Sequence, residues 1–374
     1  MPRSQKTNGS TKESLYLGAL STLLFDRSGN DGQFSSSFTE ALEFCSSLPD
    51  AELREVFDLA DSHHVTVRVI NILQDGAAQT GRTGLAPRLD PILCMEQKRI
   101  ANALHYMDAI CRAFEAAGCP VTVIKSVDHW PDLGGDIDLY TSGSRELVID
   151  VFRKVFKAEL EPQSWGDRLA NKWNFRIPGL PELVECHVKW LGQTGEQVAL
   201  ARRVEQRQML RQIGEYVVPV PAPEERIVIS ALQRMYRHFY IRLCDIANIA
   251  ALLRDQVVDF AELKKTADMG AIWPGVATLL TIVMEYVKRY GGAEIRLPQE
   301  VTSSARSSEK RTYISEKFVR IPIMPDAAEL YTQQMVGIGA SRNFRAMFRL
   351  GLLPALATAA FIGYKLTGSD KGVW

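Results

Sequence analysis

The chain has 374 residues, 46% of them hydrophobic and 24% charged, enough for two or three domains with ample core. Its 44 lysines and arginines balance 44 aspartates and glutamates, so no global field draws it to nucleic acid or an anionic membrane, which counts against a template-directed polymerase. Six scattered cysteines, without CxxC or metal-ligand spacing, predict reduced thiols and a cytoplasmic protein.

Residues 1–12 are polar and basic, have no signal-peptide pattern behind them, and are expected to be disordered. Residues 13–94 read as an N-terminal helical region. Leu15, Leu17, Leu20, Leu23 and Leu24 form an apolar stripe before a Gly-, Asp- and Ser-rich break at Arg27–Ser37, and Phe38–Ser47 gives a second helix. Pro49-Asp50 opens a third, with acidic residues in its first turn. His63-His64 ends it; adjacent helical side chains diverge by about 100°, so the pair is not read as a metal site. Gly81–Pro91 reads as a loop.

The segment 95–218 carries the chemistry. A helix with Ile100, Leu104, Met107, Ile110, Cys111 and Phe114 on one stripe stops at Gly118 and Pro120, and a β-branched strand, Val121–Ile124, follows at once. Lys125-Ser126 ends that strand. After a connection of about ten residues, Asp136-Ile137-Asp138-Leu139-Tyr140 reads as a second strand, with both carboxylates on one face and Ile137 and Leu139 on the other. Two carboxylates fixed side by side repel unless a cation lies between them, which points to a hard divalent metal. Arg145–Lys157 is a helix, and Lys172–Ile177 and Leu183–Trp190 form a hairpin around Pro178-Gly179-Leu180-Pro181. Glu185, His187 and Lys189 share one face of its second strand. A half-exposed hairpin with ordinary polar residues is the plain reading; with Asp136 and Asp138 upstream, Glu185 reads as a third carboxylate with His187 beside it. Neutralising Glu185 would then relieve repulsion in the metal-free protein.

Residues 219–296 form a C-terminal helical region. Pro219, Pro221 and Pro223 read as a stiff connector, and the helix from Glu224 onward carries Ile227, Ala231, Met235 and Phe239 on one stripe. Arg234, His238, Arg242 and Asp245 fall on another: either a solvated face with an Arg242–Asp245 ion pair, or a basic stripe holding phosphates. The tail, 297–374, contains a polar, basic stretch, Ser303–Arg320, expected to be exposed. Its uncharged run at 350–364 is too short to cross a hydrocarbon layer of about 30 Å untilted. A packed terminal helix and membrane association both remain open for it, and the chemistry is expected not to need it.

A strand ending in a small residue, a ten-residue connection and Asp-x-Asp on the next strand resemble the polymerase β-like nucleotidyltransferase superfamily. Lys125, Asp136-Ile137-Asp138, Glu185-Cys186-His187 and His238…Arg242-Leu243-Cys244-Asp245-Ile246 resemble, more narrowly, bacterial proteins called simply nucleotidyltransferase family proteins, over roughly residues 11–292. The resemblance implies an α+β fold: a small mixed β-sheet nucleotidyltransferase core flanked by N- and C-terminal helical regions. It implies transfer of an NMP group from an NTP to a small-molecule or protein acceptor, with no nucleic acid as partner. Asp136, Asp138 and Glu185 would be catalytic and bind two Mg²⁺ ions, Mn²⁺ being the alternative. Lys125, Ser126, Arg242 and His238 would bind the nucleotide. Two departures stand out: Ser126 replaces a glycine, and Gly134-Gly135 stands where an arginine often precedes the Asp pair. They leave open a catalytically weakened nucleotide-binding or adaptor protein on the same fold, or a membrane-associated scaffold.

Overall fold

The computed structural model describes residues 7–26, 34–82, 84–306, 312–315, 317–322, 327–355, 358–359 and 362. Its centre is a mixed five-stranded sheet. The short β1 (Thr122–Val123) runs antiparallel to β2 (Asp136–Thr141), and β2 runs parallel to β5 (Leu183–Val188). β4 (Lys172–Arg176) is antiparallel to β5 and to β3 (Glu159–Leu160), giving the order β1-β2-β5-β4-β3. Strand alternation sorts the faces. Ile137, Leu139, Val184 and Cys186 are fully buried, and pack with Ile110, Phe114 and Phe152 from the helices Ala86–Ala116 and Arg145–Phe156. The polar residues of β2, β4 and β5 stand on the other face. The expected hairpin and Asp-x-Asp strand are both present, and the fold is α+β with helical flanks.

A second core is mostly helical. Leu17, Leu20 and Leu23 of the helix Thr7–Phe25 pack with Leu42, Ile70 and with Val276, Leu280 and Val283 of the helix Trp273–Arg289. The N- and C-terminal helical regions therefore share one interior behind the sheet. That first helix begins inside the stretch 1–12 expected to be disordered; residues 1–6 lie outside the described residues, as do 27–33 of the break after it.

Several boundaries differ from the sequence reading. The Gly81–Pro91 loop is shorter than expected, because the next helix begins at Ala86 and runs through Pro91. Pro87 suits a first helical turn, and Pro91 gives up a single backbone bond near the helix start. The proline connector is a strand: β6 (Gln208–Ile213) and β7 (Tyr216–Pro221) form a hairpin turning at Gly214 with φ +56°. Proline is tolerated in a strand where no N–H need be donated. The helix from Glu224 stops at Gln233; a π-turn spans Arg234–His238, and Phe239 adopts φ +56°. Side-chain periodicity does not foresee such a break.

The tail is integrated into the molecule. β8 (Tyr240–Ile241), β10 (Phe318–Arg320) and β9 (Tyr313–Ser315) form a small sheet with β10 central, and Val319 is buried, so the stretch expected to be exposed is partly structural; its residues 307–311 and 316 lie outside the described residues. Helices Ala328–Ala340 and Phe344–Gly351 follow, burying Leu330 and Leu350. Among the described residues no helix is long and apolar enough to cross a membrane; much of 350–364 lies outside them.

Candidate active site

Parallel pairing of β2 with β5 sets Asp138 opposite Glu185. Ligand atoms of Asp138, Glu185 and His187 lie within 4.8 Å of one another, in a group that could hold a metal ion. Asp136 shares the face of Asp138 but is exposed at the open end of β2 and stands outside that group, its carboxylate against Gly134 near His64. Of the three carboxylates read from the sequence, the structure brings two together and adds an imidazole.

Each carboxylate has a cation on it. Lys125 Nζ lies 2.5 Å from Asp138 Oδ1, and Lys172 Nζ lies 2.9 Å from both Glu185 Oε2 and Asp167 Oδ1. His187 Nε2 donates to Glu185 Oε1 at 2.9 Å. Burial pushes the Asp138 carboxyl well up, aided by the nearby charges of Asp136 and Glu185 and opposed by Lys125. Glu185 meets the same burial penalty, but the His187 hydrogen bond and the charges of Lys172 and Lys125 overcome it and hold it well below the usual range. Neighbouring acids pushed apart in this way take different roles, one taking up a proton the more readily and the other holding a fixed charge. Burial pulls His187 down to about 4 despite Glu185, so near neutral pH its Nδ1 is an unprotonated lone pair, and it has no hydrogen-bond partner.

These residues could hold a divalent metal ion. Asp138 Oδ1 is buried beside Lys125, and carboxylates and a neutral imidazole are both metal ligands.

Lys125 is held in an uncommon conformation. Its φ of +64° and ψ of −55°, with Ser126 N donating to Ile124 O at 2.7 Å, make a γ-turn of the rarer hand. In a non-glycine residue such a conformation costs about 1–3 kcal/mol and persists where surrounding contacts enforce it. Here the enforcing contact is the lysine on Asp138. Ser126, next in the chain, is buried and its hydroxyl accepts from Asp138 N at 2.8 Å, so its side chain ties the loop to β2.

Arginines from outside the sheet pin the loop before the Asp pair. Arg99, on the helix Ala86–Ala116, donates to the carbonyls of Leu133 at 2.9 Å and Gly134 at 3.2 Å while pairing with Glu96 and Glu182. Arg68 donates to the carbonyls of His129 and Trp130 and pairs with Asp132.

The basic residues of the second half also converge on Lys125. Burial pulls His238 down to about 2, followed by the charges of Arg237, Arg234, Lys125 and Arg242. The Arg242 guanidinium meets His64 Nε2 and lies 5.7 Å from the Tyr240 ring centre. The ion pair read as Arg242–Asp245 belongs instead to Arg234, whose Nε is 2.6 Å from Asp245 Oδ2, both side chains being buried; Arg242 gives Asp245 only its backbone N–H. His63 links segments: Nε2 donates to Lys317 O and Nδ1 accepts from Leu243 N.

Two residues escaped the sequence reading. Lys172 was read only as part of a strand, since its partnership with Glu185 depends on cross-strand register. Arg237 lies half-buried on the π-turn beside Lys125 and His187, with no anion or hydrogen-bond partner for its side chain among the described residues.

No protein-family profile matches the chain, and no curated protein matches it. Among solved structures it is similar to one titled an antigenic nucleotidyltransferase-like protein from Paracoccidioides brasiliensis, at 14% identity and a TM-score of 0.33, over 54% of this chain and 97% of that one.

Proposed function

We propose that the protein is a metal-dependent nucleotidyltransferase that moves an NMP group from an NTP to a small-molecule or protein acceptor, without nucleic acid as partner. The observation that carries this reading is the pairing of Asp138 with Glu185 on adjacent strands, within reach of His187 and beside Lys125 and the unpartnered Arg237. Asp136, Asp138 and Glu185 would hold magnesium or manganese, two ions being expected, which when bound lower the pKa of the attacking oxygen and neutralise the leaving group. Lys125, Arg237, Arg242 and His238 would hold the triphosphate, with Ser126 fixing the turn that presents Lys125. The acceptor oxygen forms its bond to the α-phosphorus as the bond to the bridging oxygen breaks. Pyrophosphate leaves with the electron pair, and the hydroxyl proton passes to Asp138, whose surroundings favour the protonated form.

A second reading has its own observation. Lys125 and Lys172 already neutralise both buried carboxylates, as a catalytically weakened nucleotide-binding or adaptor protein would. Thermal melting with each NTP and Mg²⁺, followed by assay for pyrophosphate release in a cell extract, separates the two. The enzyme reading expects a melting shift that needs both metal and nucleotide, and pyrophosphate formation. Asp136→Asn combined with Asp138→Asn should abolish the metal-dependent part; an equal shift in that double variant removes the metal assignment, and a shift without pyrophosphate favours the adaptor.

A further inference from the structure

A cleft opens next to the carboxylate pair and shares Lys125 and His187 with it. Leu191, Ile229 and Leu232 line one side; Tyr331, Leu350 and Leu353, from the tail helices, line the other. The tail is fastened there: Tyr331 Oη donates to Leu350 O at 2.8 Å, and the Arg349 guanidinium lies 4.7 Å from the Trp190 ring centre. In this apolar wall two donors lack a partner among the described residues, Nε2 of Gln334, which is 1% exposed, and Nε of Arg237. A buried donor left unpaired costs about 1–3 kcal/mol, so the wall offers two donors to an acceptor oxygen.

We infer that this cleft is the acceptor's binding site, and that it takes a small hydroxyl-bearing molecule with an aliphatic or aromatic body and an oxygen-rich group facing Gln334 and Arg237. The inference rests on the nucleotidyltransferase reading for the word acceptor; the cleft's preference for an apolar ligand rests on its own walls. Apolar walls with a few placed polar groups are the makeup of sites that bind molecules of this kind. A free sugar carries hydroxyls all round its ring and would strand most of them against leucine and isoleucine. A polypeptide or nucleic acid would need an open groove, whereas the tail helices wall this cleft on one side. The inner end, at Lys125 and His187, brings the ligand's hydroxyl to the carboxylate pair.

The test is calorimetric titration of the full chain with n-octyl phosphate, which joins an apolar body to a group of acceptor oxygens. One molecule per chain should bind. Leu232→Trp, which fills the cleft without leaving a void, should weaken binding by about tenfold or more while preserving the melting shift with Mg²⁺ and NTP. Gln334→Leu keeps the apolar volume and removes an unpaired donor; it should weaken octyl phosphate binding and raise the melting temperature. Binding unchanged in Leu232→Trp would overturn the site, as would displacement of octyl phosphate by a nucleoside alone, which would assign the cleft to the nucleotide base. Octyl phosphate binding with no Mg²⁺- and NTP-dependent shift would fail the nucleotidyltransferase reading and with it the acceptor role, leaving an apolar-ligand cleft whose variants still respond as described.

Discussion

Glu185 shows how a neighbour's charge changes what a substitution does. From the sequence it belongs to a set of three mutually repelling carboxylates, so neutralising it should relieve the metal-free protein. In the structure it is the acceptor for Lys172 and His187, both buried, and it is held ionised by them. Glu185→Gln therefore leaves Lys172 with Asp167 alone and deprives His187 of its partner. Removing one partner of a buried pair costs about 3–5 kcal/mol; with Asp167 still on Lys172, about 2–3 kcal/mol is expected. Urea unfolding of the metal-free protein measures it, and a variant as stable as the parent would show that Glu185 is not the anchor of this cluster. Its carboxyl lies below the unfolded value, so its stabilisation is present above about pH 4.5 and fades as the pH falls further. The acidic residues were legible because Asp-x-Asp and Glu-x-His alternate on recognisable strands. Lys172 was not, because it reaches Glu185 only through the register between β4 and β5, and no local pattern encodes that register.

At the scale of elements, the π-turn at Arg234–His238 carries two arginines with different surroundings. Arg234 is 1% exposed and is paired with Asp245, so it is part of the interior. Arg237, three residues later, is turned toward Lys125 and has no partner among the described residues. A π-turn of this kind often marks a functional position. Arg234→Ala should cost about 3 kcal/mol or more by stranding the buried Asp245. Arg237→Ala should leave stability within about 0.5 kcal/mol, since it removes no side-chain hydrogen bond or ion pair among the described residues, while reducing the NTP-dependent melting shift. Denaturant midpoints and nucleotide titrations on both variants check the division; equal loss of stability in the two would refute it. The strand–loop–strand unit and the hairpin were legible from β-branched runs and turn residues. The π-turn and β7 were not, since a helical stripe and a row of prolines each have a simpler reading that tertiary packing overrides.

On the scale of the whole molecule, segments distant in sequence close around the sheet. The tail was expected to be dispensable, yet Leu350 is 2% exposed and completes the cleft wall. A chain ending at Ala340 should keep its helical core but melt a few degrees lower, and should lose octyl phosphate binding; unchanged binding would detach the tail from the site. The closure itself runs through His63. This residue, at the end of the helix Asp50–Ser62, takes the N–H of Leu243 on Nδ1 and donates Nε2–H to the carbonyl of Lys317. It thereby joins the N-terminal helices to the helix Leu243–Arg254 and to the turn before β10. The contact needs the neutral ring, because a protonated Nδ1 cannot accept from Leu243. Burial, the largest influence, pulls its pKa from 6.5 to about 4, outweighing the bond to Lys317. The unfolded chain therefore takes up a proton that the folded one excludes between those values. His63's contribution is complete above about pH 6.5 and is lost as the pH falls toward 4, by roughly 3 kcal/mol across the window. Other groups titrate over the same range, so the measurement is the difference between the parent and His63→Gln, whose side-chain amide can still donate to Lys317 and does not titrate. Unfolding midpoints should converge for the two proteins as the pH drops from 7 to 4.5, with the Leu243 amide exchanging faster in the parent at the acid end. Parallel pH profiles would mean that His63 is protonated in the folded state and that this junction is held by something else.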